Sequence, residues 1–147
     1  MKMFRMLPVL VILAVLPVTS AEGQCKAFAK KSVLSELGTY THDGNYHAVT
    51  LTEGEEAELY KTFYSGMDYR LAIGGEENLP PVEFTVLDVN KKVLYSSREN
   101  NFTKIWDFNL ESSQQLRIVI KVNSSPAPQD ITPAQGCVAI MFGFKIE

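Results

Sequence analysis

Cysteine and histidine each occur only twice in this chain of 147 residues, and tryptophan once. The two cysteines, Cys25 and Cys137, stand at opposite ends of the sequence, so neither belongs to a CxxC redox or zinc pattern. Basic residues never cluster and the formal charge is −3. That argues against nucleic acid or an anionic membrane surface as partner. No G-x-S-x-G elbow is present to organise a serine nucleophile. No Asp-x-Asp-x-Asp-Gly loop is present to wrap calcium. Cofactor motifs are absent as well, and no cofactor is expected.

What is present begins with an apolar stretch. Lys2 and Arg5 make a short positive region, Met6 to Val18 is an apolar run of thirteen residues, and Thr19-Ser20-Ala21 follows with small residues. This is the three-part pattern of a cleaved secretory signal peptide. A bilayer-spanning helix needs about 20 apolar residues, more than this run supplies, and no later stretch comes closer. A lipid anchor on Cys25 is disfavoured by the polar residues Glu22-Gly23-Gln24 before it. Residues 1–21 are therefore expected to be removed, leaving 22–147 as one domain, periplasmic or secreted and not inserted in the membrane. In an exported chain two distant cysteines pair, so Cys25 and Cys137 are expected to form a disulfide.

The fold class reads as all-β. Lys26 to Leu37 suits a short helix, with Phe28, Val33, Leu34 and Leu37 apolar and Gly38 as its stop. Strands are expected at His47 to Thr52, Met67 to Ile73, Val82 to Leu87, Lys92 to Tyr95, Lys104 to Leu110, Gln114 to Val122 and Cys137 to Ile146. Leu116, Ile118, Ile120 and Val122 share one parity, with Arg117 and Lys121 on the other. Turn signals separate the runs: Asp43-Gly44-Asn45, Gly74-Gly75, Pro80-Pro81, Asp88-Val89-Asn90 and Glu99-Asn100-Asn101. Many short strands at this spacing point to a sandwich or barrel. The segment Glu53 to Tyr64 is ambiguous. Thr52-Glu53-Gly54-Glu55 has the form of a helix capping box, whereas Ala57, Leu59 and Phe63 alternate as a strand would.

Glu53 to Ile73 (EGEEAELYKTFYSGMDYRLAI) resembles the opening of bacterial pre-peptidase C-terminal β-sandwich domains. In those domains a polar strand ends in an aromatic, a glycine turn follows, and a tyrosine-containing strand returns. Phe63, Gly66 and Tyr69 match those features. Val82 to Asp88 with Val93-Leu94-Tyr95 looks like the succeeding hairpin, and Gly136 to Phe144 would complete the sheet. The resemblance implies an antiparallel β-sandwich, jelly-roll or pre-peptidase C-terminal-like, carrying a short N-terminal helix. It also favours a strand over a helix for the ambiguous segment, with Ala57, Leu59 and Phe63 buried and Glu56 and Glu58 exposed. Lys61 then shares the buried parity and must find solvent or a partner. The whole chain also looks like small exported proteins of Gram-negative bacteria, a likeness that carries no function.

Candidate sites are few. His42, Asp43 and His47 could ligate a metal, but HDGNYH matches no ligand spacing and reads first as a turn with exposed histidines. Glu53, Glu55, Glu56 and Glu58, with Glu76 and Glu77, read as a solvated face more than a calcium site. Trp106 and Phe108 share a parity that suits the core better than a carbohydrate platform. Tyr60, Tyr64 and Tyr69 would form an aromatic patch suited to glycan or peptide contact. Asn101-Phe102-Thr103 and Asn123-Ser124-Ser125 match the glycosylation sequon, which matters only in a eukaryote. Ser124 to Gln135 is a polar, proline-rich loop.

Two functional classes follow. The favoured one is a non-catalytic exported binding module, holding a glycan, peptide or partner protein at the tyrosines and using no catalytic residue. The alternative is a small hydrolase, metal-dependent or acid/base, built on the His42/His47 loop. Exported material should begin at Glu22 by N-terminal sequencing or intact mass. Full-length chain retained in the membrane would contradict that expectation.

Overall fold

A computed structural model describes residues 21–126 and 131–146. Residues 1–20, which carry most of the leader expected at 1–21, and residues 127–130 of the proline-rich loop lie outside the described residues. Nine strands are present among them: β1 (Thr41–His42), β2 (His47–Thr52), β3 (Glu56–Phe63), β4 (Met67–Gly75), β5 (Val82–Leu87), β6 (Val93–Ser96), β7 (Ile105–Phe108), β8 (Gln114–Val122) and β9 (Gln135–Ile146). They form two antiparallel sheets packed as a sandwich. In the first sheet, β9 lies between β4 and an edge made of β1 and β2, and β7 forms the far edge. The second sheet runs β3-β8-β5-β6.

Burial patterns follow from what covers each strand. β8 alternates, with Leu116, Ile118, Ile120 and Val122 buried and Arg117, Val119 and Lys121 facing outward. A sheet with one wet face produces that alternation. β9 is instead buried almost continuously from Gly136 to Gly143, because both of its faces are covered. Val138, Ile140 and Phe142 enter the main core with Phe63, Leu71, Phe84 and the β8 set. Ala139 and Met141 point the other way, into a second core beneath the N-terminal helix.

That helix already includes Ala21, ahead of the expected Lys26, and runs through α1 (Ala21–Phe28), a π-helical turn (Ala29–Val33) and a 3₁₀ turn (Leu34–Leu37). Cys25, Ala29, Val33 and Leu37 are its buried stripe, while Phe28 and Leu34 are only half-buried. A strict four-residue repeat outruns the 3.6-residue α turn, and the wider i→i+5 turn brings the stripe back into line. The stripe rests on small residues: a Cβ at Gly74 would sit 2.7 Å from Val33 Cγ2. Gly38 stops the helix with φ +56°. Arg70 anchors this end, donating to the Glu36 carbonyl at 3.2 Å and clasping Asp107, its register partner, with two further bonds.

Cys25 and Cys137 are bonded, with Cα atoms 5.2 Å apart and a sequence separation of 112. The bond ties the helix to β9.

Glu53 to Tyr64 resolves as turn plus strand. The Glu55 carboxylate does accept the Thr52 N–H at 2.7 Å, the bond a capping box would make. However, Gly54 takes φ +86° and the Glu55 N–H returns to the Thr52 carbonyl, closing a turn that leads into β3. Glu56 and Glu58 are exposed, Phe63 is fully buried, and Ala57 and Leu59 are half-buried.

Reducing the disulfide, or replacing both cysteines by Ala, should lower unfolding free energy by up to about 5 kcal/mol, the loop-closure value for a bridge of this span. Denaturant unfolding checks the loss. Far-UV circular dichroism should retain the strand signal, because neither sheet's hydrogen bonding depends on the bond.

Candidate functional site

The histidine loop is a structural turn. Gly44 has φ +89°, and the Asn45 N–H donates to Asp43 Oδ1 at 2.8 Å. His42 donates its Nε2–H to the Asn45 carbonyl at 2.9 Å and packs edge-on against Tyr46. His47 faces inward, its ring edge-on to Phe142. Both histidines are half-buried, which corrects the expectation of exposed rings: one edges against Tyr46, the other against a core phenylalanine. Among the described residues, no three His, Cys, Asp or Glu side chains converge to hold a metal ion.

Asp43 is committed elsewhere. Its Oδ2 accepts from Lys61 Nζ at 2.8 Å, so the inward lysine of β3 finds its partner across the gap between the sheets. The ammonium also lies 5.2 Å from the Phe142 ring centroid and 5.8 Å from that of Phe63. This contact stitches the β1–β2 turn to the edge of the second sheet.

The six acids do not form a cluster either. Glu56 and Glu58 project outward from β3, and Glu55 caps its turn. Glu76 accepts the Cys137 N–H at 2.8 Å, fixing the β4–β5 loop beside the disulfide.

The three tyrosines divide. Tyr60 and Tyr64 are each 58% exposed, whereas Tyr69 is buried. Tyr69 stacks on Phe108, meets Phe63 edge-on, and its hydroxyl accepts the Tyr64 N–H at 2.9 Å. It cannot contact a ligand directly; it fixes the corner from which Tyr64 projects. Alternation signals this, because Tyr69 shares the parity of Leu71 and Ile73, both core. Trp106 likewise belongs inside, stacked between Tyr95 and Phe108 along the β6/β7 side of the sandwich.

Tyr60 gains neighbours that strand reading alone does not reveal. Its register partner on β8 is Arg117, whose Nε donates to Glu58 Oε2 at 2.8 Å. Val89, at 70% exposure in the β5–β6 turn, borders the same surface. Tyr60, Arg117, Gln115, Asp88, Val89 and Lys91 line a shallow depression of about 130 Å³. Only the β3:β8 and β5:β8 registers bring these residues together. The result is an aromatic and a guanidinium on a rigid strand pair.

Two groups near the turn set a pH dependence. Burial pushes the His47 pKa below 6.5, against the smaller opposing pull of Asp43. Burial alone would raise the Asp43 carboxyl, but the hydrogen bonds from Lys61 and Asn45 outweigh it and hold the pKa below 3.8. For both groups the unfolded chain binds the proton more readily, so stability rises with pH. The His47 contribution is complete above 6.5 and is lost as the pH falls below it. That of Asp43 is lost only below 3.8. Melting temperature should therefore fall in two stages on acidification. His47→Gln should flatten the first stage, and Asp43→Asn the second.

No family model matches the chain, and no curated protein matches it in sequence. Among the described residues no helix is long and apolar enough to cross a membrane. In fold the chain is similar to the crystal structure of Aeromonas hydrophila PliG, a periplasmic lysozyme inhibitor of g-type lysozyme. The TM-score is 0.51 at 12% identity, over 73% of this chain and 89% of that one. At that identity the likeness extends to the β-rich sandwich and to no individual residue's role.

Proposed function

We propose that this chain is a non-catalytic module, exported by a leader at residues 1–21, that works by holding another protein. The observation that carries the reading is the outer face of β3 and β8, where exposed Tyr60 lies beside Arg117 and Val89. Tyrosine and arginine are the residue types most often found at the energetic centre of protein interfaces. Here both stand on paired strands, so little ordering cost falls on binding. The disulfide suits an oxidising compartment outside the cytoplasm. The protein of similar fold inhibits a g-type lysozyme, which makes that enzyme class the first partner to test. A pre-peptidase C-terminal-like origin belongs to the same proposal, supported by the order Phe63, Gly66, Tyr69 across a strand, turn and strand.

The hydrolase alternative draws no comparable support. A cleft joining a histidine to two carboxylates would favour it. The groove that holds His47 contains one carboxylate, Glu58, and Arg117 engages that.

The purified chain should inhibit a g-type lysozyme in a cell-wall turbidity assay. Tyr60→Ala should weaken that inhibition at least about tenfold with an unchanged melting temperature. Full inhibition by Tyr60→Ala would move the site off this face, and no inhibition by the parent chain would remove lysozyme as partner. Turnover of a substrate that disappears with His47→Gln or Glu58→Gln would overturn the non-catalytic reading.

A further inference from the structure

The first sheet is cut short at one corner. Strand β4 runs on to Gly75, but β7 pairs with it only from Tyr69 to Ala72. The Ile73 N–H still reaches the Lys104 carbonyl, and past that point the edge of β4 is bare. Successive residues of a strand turn their N–H and C=O groups to opposite sides. The Glu76 N–H donates to the Cys137 carbonyl on β9, so the N–H and C=O of Gly75 point the other way, off the sheet. Among the described residues neither group has a partner. Between this edge and the N-terminal helix lies a cleft of about 750 Å³, a size that suits a small ligand. Beside it a smaller hollow of about 190 Å³ is bounded by Leu79, Pro81 and Val82. Gly75 lines both, and its lack of a side chain leaves the approach clear: a Cβ there would sit 2.7 Å from Val82 Cγ2.

We propose that this corner binds a neutral glycan bearing acetamido groups, an oligosaccharide of N-acetylated amino sugars. A bare amide edge beside an apolar hollow is the complement of an acetamido group, which is an amide ending in a methyl. One Gly75 backbone group bonds the acetamido amide and the other bonds a ring hydroxyl, while the methyl enters the hollow against Leu79 and Val82. The lining of the cleft suits the rest of the sugar. Lys31, Ser32 and Glu36 from the helix, with Glu77 and Lys104 from the loops, offer donors and acceptors together, as a polyol needs. Half-buried Phe28 gives the C–H face of a sugar ring an aromatic surface. Lys31, Glu36, Glu77 and Lys104 are two cations and two anions, and among the described residues none of them is in an ion pair. A fifth charge, Glu76, is held by the Cys137 N–H. The balance favours a ligand without net charge. A peptide strand is the poorer match. Strand addition draws on a run of main-chain bonds, and beyond β7 only Gly75 offers both its groups before β4 ends.

Tyr60 stands on the second sheet and this corner belongs to the first, so the two binding readings fail independently. The test titrates the ¹⁵N-labelled protein with N,N′,N″-triacetylchitotriose and follows its amide signals by NMR. Shifts centred on Gly74 to Glu77, Phe28 to Ser32 and Lys104 are expected, with a dissociation constant below about 1 mM. Cellotriose, which has hydroxyls in place of the acetamido groups, should bind at least about tenfold more weakly. The peptide acetyl-Ala-Leu-Ala-amide, which supplies amides and methyls without hydroxyls, should be weaker by at least about the same factor. Lys104→Ala and Glu77→Ala, both at exposed side chains, should each weaken triacetylchitotriose binding at least about threefold with the melting temperature unchanged. Equal affinity for the two sugars, peptide binding as tight as the acetylated sugar, full affinity in both variants, shifts centred elsewhere, or no binding below about 1 mM would each overturn the proposal.

Discussion

Strand β9 is covered on both faces, and the two coverings are held by different means. The second sheet packs on its inner face through Ile140 and Phe142, by shape and apolar area alone. The helix on its outer face has less to offer. Ala29, Val33, Ala72 and Ala139 are small, so this second core is thin, and burial energy grows with the apolar area removed from water. The Cys25–Cys137 bond makes up the difference, holding the helix where its own contacts are modest. Small residues and a covalent tie belong together here: the close approach at Gly74 reduces the area available, and the bond offsets that loss.

A second dependence runs between the two sheets. Lys61 occupies an inward position where its neighbours on β3 are Leu59 and Phe63. Its charge is tolerated because Asp43 meets it and two aromatic rings lie beneath it. The same turn that supplies Asp43 orients His42 and presents His47 to the core. One Asx turn thus arranges a clasp and two imidazoles. The tyrosine face lies on the opposite surface of β3 from Lys61.

Much of this was legible in the sequence where one physical cause acts alone. β8 reads correctly because it has one wet and one dry face. The distant cysteines read correctly because no competing pattern claims them. Legibility fails where two causes act on the same residues. At Thr52–Glu55 the capping hydrogen bond really forms, but the sequence signal does not distinguish a helix start from a turn. Gly54 decides in favour of the turn. The tyrosines were grouped by residue type, whereas parity separates Tyr69 from Tyr60 and Tyr64. Arg117 and Val89 could not be joined to Tyr60 from the sequence, because strand register is a property of the assembled sheet.

That β9 follows the other eight strands in sequence also sets an order of events in time. Synthesis delivers the helix and Cys25 first, and Cys137 only 112 positions later. Strands β3, β5, β6 and β8, the whole second sheet, are complete before the first sheet receives its central member. Until β9 arrives, β1, β2 and β4 have no strand to pair with except β4 with β7, and the helix lacks the part of its floor that Ala139 and Met141 supply. A nascent chain halted before Gln135 therefore carries one finished sheet whose apolar face is uncovered. Such a surface invites association between chains. The twelve residues of β9 turn that half-sandwich into a whole one.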